Sequence, residues 1–399
     1  MNRYSIREIH LEGGERLPVL VHDDPLGLPV VRTTEYCLTK LRAGSLRRTS
    51  IRQRIAALGI TLHFLDSRRI DLVERAAAQS FLNLNELVTL ADHCRARRQP
   101  ATGRVVVSSL YAAVRFSTAL DYITWISEPV ISRMTDPRQR ESANFGLHQF
   151  QRRARSVAPR HRGKDSHIDG ERHGLQDDQR ALFLQVIQPG NPGNPYSPAF
   201  QVRNYAMLLT AFKLGARSGE IRGLKKVDLN LDSDPADLTI IPRYHDADDC
   251  RLDPAAAKTN GRLLELDDEL RDALAVWLDD RKVRARWPRA HRNPYVFVNR
   301  YGDAIEGRGY RQVIEVLRGA HPELAPLCHH ILRHDWNDRW VLMVDSDGVE
   351  FEKAQAEQKY AMGWSHQSKM PQRYGKLATA KVANKRILKL QKGAPQNDE

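Results

Sequence analysis

RNYAMLLTAFKLGARSGEIRGL, residues 203–224, is the stretch from which the rest of the chain can be read. Its first half is apolar on nearly every helical face, the pattern of a helix buried inside a domain. Gly215 closes that helix, and Arg217 and Glu220 follow at once. A guanidinium at the end of a buried helix needs an anion or a carboxylate, because an unpaired buried charge is prohibitive. Glu220, three residues on, can hold it and leave its other face for a ligand. From these residues alone a purely structural Arg–Glu pair reads equally well.

Working outward from this stretch gives a mixed half. Gln176–Ile187 reads as a helix and PGNPGNPYSP (189–198) as a loop. LTIIPRY (238–244) is strand-like, and KTNGRLLEL (258–266) looks like the turn and return of a hairpin, with Asn260-Gly261 as the turn. Asp267 caps an amphipathic helix with the stripe Leu270, Leu274, Trp277 and Leu278. PYVFVNRYG (294–302) is a further short strand and turn, and the remainder to about Leu390 is mainly helical. Upstream the pattern differs. TTEYCLTKLRAG (33–44), IRQRIAALGITLHFL (51–65), LNELVTLADHCRARR (84–98) and SSLYAAVRFSTALDYITWI (108–126) repeat apolar residues at helical spacing, with many basic residues between them. Residues 1–32 are polar and Gly/Pro-rich and read as an extension. From about Arg133 to Gly174 the helical period fades, and RRARSVAPRHRGK (152–164) carries Arg152, Arg153, Arg155, Arg160, Arg162 and Lys164 with no acid. The expected organisation is therefore an extension (1–32), a small helical domain with a basic face (33–150), a basic linker (151–174), a mixed domain (175–392) and a tail (393–399). The expected fold class is mainly α with a small antiparallel β-sheet.

Composition narrows the partner. The 399 residues include 62 Lys and Arg against 49 acids, a formal net charge of +13 that favours a polyanion. No stretch approaches the ~20 apolar residues of a spanning helix. The N-terminus carries charges where a signal peptide would have its apolar run. Nucleic acid is left as the expected partner. Cys37, Cys94, Cys250 and Cys328 are scattered and form no CxxC pair, which argues against a zinc site or a disulfide framework.

Four more features carry chemistry in the second half. Lys258 stands just before Asn260-Gly261; on a hairpin tip it is ordinarily a solvated charge. His330 and Arg333, three apart, share one helical face. Gly363-Trp364-Ser365-His366 reads as a buried turn with polar donors. Tyr374 follows Pro371, which can start a short helix that presents it. In this order, GARSGEIRGL, KTNGR, HHILRH, GW and RYG resemble the tyrosine recombinases, or phage integrase family, over roughly Leu175 to Leu390. The helical segment before it resembles their core-binding domain more loosely.

The resemblance implies a two-domain tyrosine recombinase architecture, a core-binding domain followed by a mixed α+β catalytic domain. It implies that Arg217 and Arg333 clamp the non-bridging oxygens of a scissile phosphate and that Tyr374 attacks in line, leaving a 3′-phosphotyrosine and a free 5′-hydroxyl. Lys258 would be general acid for the departing oxygen, and His330 would assist proton transfer. Trp364 would place its indole N–H on the phosphate, with Glu220 in support and His366 as the alternative occupant of that slot. No cofactor, metal or ATP is implied. The implied partners are double-stranded DNA, a tetramer of the chain on DNA, and an accessory directionality factor, in a cytoplasmic, nucleoid-associated setting without membrane. A type IB topoisomerase-like relaxing activity and a catalytically silent DNA-binding relative are the alternatives. Some features are this chain's own. Arg333 to Trp364 spans 31 residues and includes Asp345-Ser346-Asp347-Gly348, which reads as an acidic loop, and Asp335-Trp336 follow His334 where a small hydroxyl residue is common.

Affinity for duplex DNA is expected to rest on phosphate contacts and to fall steeply with salt. Replacing the six basic residues of 152–164 with Gln should flatten that slope and weaken binding to all sequences about equally. Anisotropy titrations at low and physiological salt check both expectations, and a loss confined to one sequence would rule out a linker lying along phosphates.

Overall fold

A computed structural model of the chain describes residues 3–44, 46–96, 106–159, 174–243, 245–255, 257, 259–279, 287, 289–371, 383–384, 387–388 and 390–391. The chain divides into two compact units, Met1–His167 and Ile168–Glu399.

The first unit opens with an antiparallel hairpin, β1 (Tyr4–His10) and β2 (Arg16–His22), in the register Tyr4↔His22 to His10↔Arg16. Among the described residues six helices follow: α1 (Val31–Tyr36), running into a π-helical turn (Cys37–Arg42), α2 (Arg48–Ser67), α3 (Leu72–Ala77), α4 (Leu84–Arg95), α5 (Ser109–Ser132) and α6 (Pro137–Val157). Their starts are written locally. Asn83 and Glu86 form a reciprocal capping box at α4, and Asp136 caps α6 ahead of Pro137. Two expectations are corrected here. Residues 1–32 are not an extension: Leu17, Val19, Leu20 and Val21 of β2 are buried in the unit's core with Phe64, Phe116 and Phe150. The apolar run of β2 outweighs the Gly and Pro residues around it. The helical period also does not fade at Arg133. Ala143, Leu147, Phe150 and Ala154 continue it on one face of α6, so Arg152, Arg153 and Arg155 are exposed on a helix and not in a linker. Arg160, Arg162 and Lys164 lie outside the described residues.

The second unit is built around α8 (Pro198–Leu214), in which Ala206, Met207, Leu208, Leu209 and Ala211 are fully buried. The sequence pattern anticipates this helix. Around it stand α7 (Asp177–Val186), α9 (Ser218–Gly223), α10 (Asp268–Leu278), α11 (Gly307–Ala320), α12 (His329–Asp347) and α13 (Phe351–Met362). A small antiparallel sheet has the order β3 (Leu229–Asn230), β4 (Asp237–Ile240), β5 (Arg262–Glu265). Asp267 accepts from the Leu270 amide and caps α10, and the Trp277 indole N–H of that helix donates to the Val296 carbonyl at 2.8 Å.

Three local expectations change. β4 and β5 do pair, Asp237↔Glu265 to Ile240↔Arg262, but Asn260-Gly261 is no two-residue turn, because the whole of 241–261 separates the strands. Residues 295–298 are fully buried, but their β-pairing consists of the isolated bridges Lys225↔Tyr295 and Val298↔Ala304 and they form no strand. Asp345-Ser346-Asp347 is not a loop. It is the last turn of α12, and Gly348 closes the helix in the left-handed conformation.

The buried hairpin gives a test. Leu20→Ala should destabilise the first unit by about 2–5 kcal/mol, the range for a truncated core leucine. Urea unfolding followed by tryptophan fluorescence measures it, and a change under about 0.5 kcal/mol, as at a surface site, would return β2 to the status of an extension.

Candidate functional site

Arg333 is the fifth residue of α12 and is 1% exposed. Burial obliges its guanidinium to find acceptors, and two are main-chain carbonyls. Nη1 donates to Gly215 O at 2.7 Å and Nη2 to Met362 O at 3.0 Å. These acceptors end α8 and α13. Gly215 and Gly363 both terminate their helices with positive φ, +56° and +62°, a conformation that glycine adopts without strain. Neither position has room for a side chain. A Cβ on Gly215 would lie 2.9 Å from Trp336 and Met362, and one on Gly363 would lie 2.7 Å from Arg262 Nη1.

Arg333 therefore draws together the segments that carry Arg217 and Trp364. Trp364 is buried in a small apolar cluster with Met362, Trp336 and Met370, and the Arg333 guanidinium carbon lies 5.5 Å from its ring centroid. His330 precedes Arg333 by one turn. Its ring meets His334 edge-on at 5.2 Å between centroids and His329 at 6.0 Å. His366 is exposed, and its carbonyl accepts from Lys359 Nζ at 2.9 Å.

Glu220 is the second organising group, and here the expectation needs correction. The carboxylate is fully buried, but Arg217 is only its looser ionic partner, Nη1 to Oε1 3.8 Å. The close partner is Arg262, whose Nη2 donates to Oε2 at 3.0 Å. Thr259 Oγ1 donates to Oε1, and the Arg217 amide donates to Oε2 at 2.8 Å. Burial is the largest single influence on Glu220 and raises its pKa. The charge and hydrogen bond of Arg262, the charge of Arg333 and the Thr259 hydroxyl together outweigh it, so the carboxyl lies below its ordinary range. The Arg217 side chain keeps a quarter of its surface open.

The start of β5 is stitched to the end of α13. Arg262 Nε donates to Ala361 O at 2.7 Å, and the Asn260 amide donates to Gly363 O at 2.9 Å. Thr259 is thus held on Glu220 and Asn260 on Gly363, which fixes the chain next to Lys258. Lys258 and Tyr374 themselves lie outside the described residues.

Two contributors escape a sequence reading. Arg262 is one, although a buried Glu220 demands a buried cation and KTNGR holds an arginine beyond its lysine. Asp335 is the other. Fully buried, it accepts from Arg180 Nη2 at 3.0 Å, Arg339 Nε at 2.9 Å and the Leu175 amide at 3.2 Å, so it ties the start of the unit to α12. A small hydroxyl residue there could not balance two guanidinium groups. Among the described residues no group of three or more His, Cys, Asp or Glu is arranged to hold a metal ion, and no helix is long and apolar enough to cross a membrane.

No family model matches the chain, and no curated protein matches its sequence. Solved structures do resemble it in chain course. The Tn1549 transposon integrase in complex with circular intermediate DNA is 15% identical, with a TM-score of 0.44, over 83% of this chain and 99% of that one. The XerH site-specific recombinase bound to difH substrate is 15% identical, with a TM-score of 0.39, over 85% of this chain and 82% of that one. The XerA recombinase is 13% identical, with a TM-score of 0.35, over 91% of this chain and 97% of that one. Identities and scores this low leave the functional reading to rest on the side chains.

Glu220→Gln removes the charge opposite Arg262 and should cost about 3–5 kcal/mol, the range for breaking a buried ion pair. The pH dependence follows from the lowered carboxyl. Its contribution is fully present above the unfolded-state value of about 4.3 and is lost as pH falls through the lower folded value. The stability gap between wild type and Glu220→Gln should be constant near neutrality and close as the solution is acidified below about pH 4. Denaturant titrations at several pH values test this, and a gap that widens in acid would contradict the sign.

Proposed function

We propose that the chain is a site-specific DNA recombinase that breaks and rejoins duplex DNA through a 3′-phosphotyrosine on Tyr374. The observation that carries this reading is the Arg333 guanidinium, buried between the ends of α8 and α13 with Arg217 two residues beyond one acceptor and Trp364 two beyond the other. Such a cluster of fixed positive charge and ring donors is suited to an anion whose charge grows in a transition state.

In this reading Arg217 and Arg333 take the two non-bridging oxygens of the scissile phosphate. Arg217 is open to solvent already. Arg333, at 1% exposure, meets a phosphate only after the groups packed on it give way, Trp364 among them. Tyr374 Oη forms the new bond to phosphorus as the bond to the 5′-oxygen breaks. His330 takes the tyrosine proton, and the Lys258 ammonium supplies one to the leaving oxygen. Religation runs the same steps backwards and needs no ATP, because the phosphotyrosine keeps the bond energy. The burial of Trp364 and the exposure of His366 favour Trp364 as the fourth phosphate contact. The helical first unit, with exposed Arg152, Arg153 and Arg155, is assigned to DNA binding and the second to catalysis, acting as a tetramer on two DNA sites.

Incubation with a labelled, nicked duplex in chelator, followed by denaturing electrophoresis, tests the reading. Wild type should give a covalent protein–DNA adduct, and Tyr374→Phe none, with DNA affinity nearly unchanged. Arg217→Ala should slow adduct formation by about 10²–10³-fold, the loss typical of one transition-state donor. Trp364→Ala should be the slower of the pair with His366→Ala. An adduct retained by Tyr374→Phe would place the nucleophile elsewhere, and metal-dependent cleavage without an adduct would remove the chain from this mechanistic class.

A further inference from the structure

The inward face of α13 is short of apolar anchors. Its buried stripe is Ala354, Gln358 and Met362, at four-residue spacing. Among the described residues none of α13 belongs to the core around α8, and Met362 sits in the small cluster with Trp364, Trp336 and Met370. Gln358, at 3% exposure, is a polar side chain where an amphipathic helix would carry an apolar one. A buried amide without a partner is costly. The place of such a helix is therefore set by its polar ties.

α12 supplies those ties from one face. Arg333 and Asn337 stand one turn apart on it, as Met362 and Gln358 do on α13. The first rung is the bond from Arg333 Nη2 to Met362 O at 3.0 Å. The second is Gln358 Nε2 donating to Asn337 Oδ1 at 2.9 Å. Asn337 is fully buried, and its own amide is oriented locally. Its Nδ2 donates to Arg333 O at 2.7 Å and to Met362 Sδ at 3.6 Å. Both ends of this one amide are thus committed, the nitrogen to Arg333 and Met362 and the oxygen to Gln358. Arg262 Nε grips the same end of α13 from the side of β5, donating to Ala361 O at 2.7 Å. Sliding α13 along α12 would leave the two amides buried without each other.

We infer that Asn337 and Gln358 are positioning residues, whose amide pair sets α13 against α12 so that Arg333 and Trp364 meet one phosphate together. The inference rests on the proposed cleavage reaction, in which the pair acts through Arg333 and Trp364. Arg333 takes one of its carbonyl acceptors from Met362, and Trp364 lies two residues beyond that acceptor. A shift of α13 therefore moves both. An apolar pair of similar shape would hold the fold about as well, because replacing both partners of a buried hydrogen bond together is nearly neutral. It would fix the position of α13 less narrowly, since apolar contact has no direction and a buried amide pair is satisfied in few arrangements. Stability and rate should part company when the pair is replaced.

The test uses the full chain carrying Asn337→Leu and Gln358→Met together, with urea unfolding and adduct formation on the nicked duplex compared with wild type. The urea midpoint should stay at or above that of wild type. Adduct should form about 10–100-fold more slowly, the loss that follows a displacement of about an ångström. A second substrate separates a displaced guanidinium from a general loosening of the site. With methyl in place of one non-bridging oxygen the scissile group is uncharged, and its reaction leans less on a fixed cation. On that substrate the variant should come within about threefold of wild type, because less charge is left to stabilise. Gln358→Met alone removes only the donor, and serves if the double variant fails to fold, as circular dichroism would reveal. A wild-type rate on phosphate in a folded variant would overturn the inference, and so would equal slowing on both substrates. Arg333→Ala is run alongside to check the reaction itself. If it is slow on phosphate and relieved on the methylated group, the phosphate role of Arg333 stands whatever the amide pair does. A wild-type rate in Arg333→Ala would remove that role, and the positioning inference with it.

Discussion

Two helices end on one guanidinium. The carbonyl ends of α8 and α13 both point at Arg333, and a helix carries a partial negative charge at its carboxyl end. Arg333 is thus solvated by backbone dipoles in place of water, an arrangement that lets a cation sit at 1% exposure. The geometry requires both helices to stop within reach of the same side chain. Gly215 and Gly363 make that possible, because each turns the chain with positive φ and neither leaves space for a Cβ. The placement of Arg217, His330 and Trp364 follows from this one junction.

Buried carboxylates do the corresponding work elsewhere in the second unit. Glu220, Asp249 and Asp335 are each at most 4% exposed, and each is met by arginine. In two of the three the arginine is remote in the chain, Arg262 for Glu220 and Arg180 for Asp335. A misplaced segment would leave one of these charges buried without its partner, which costs more than a misplaced apolar contact. Charge pairing of this kind therefore fixes which segments meet, while the apolar core around α8 supplies most of the cohesion.

The helices were legible wherever burial followed the helical period, as in α2, α4, α5, α8 and α10. α6 escapes the pattern because a mostly polar helix shows its period only in Ala143, Leu147, Phe150 and Ala154. β2 escapes the pattern because its five consecutive buried residues, Leu17 to Val21, carry no alternation and include Pro18. At the site, Arg217, Glu220, His330, Arg333 and Trp364 could be named from motif order. Their pairing could not. Glu220 takes Arg262 over its helical neighbour Arg217 because β5 delivers a guanidinium more closely than the three-residue spacing does. Nothing local in the sequence encodes that choice.

The amino-terminal hairpin also has a consequence during synthesis. β2 is made before the helices it packs on, since its apolar residues lie against α2 and share a core with α5 and α6. Until those helices have been made, Arg16–His22 has only β1 beside it and its apolar face is uncovered, and such a strand of high β-propensity pairs readily with other chains. Pro18 within it and the charged Arg16 at its edge act as gatekeepers for that interval, since proline cannot donate to a growing ladder and charge opposes stacking. The same proline that hides the strand from a reader of the sequence keeps the nascent chain from finding the wrong partner.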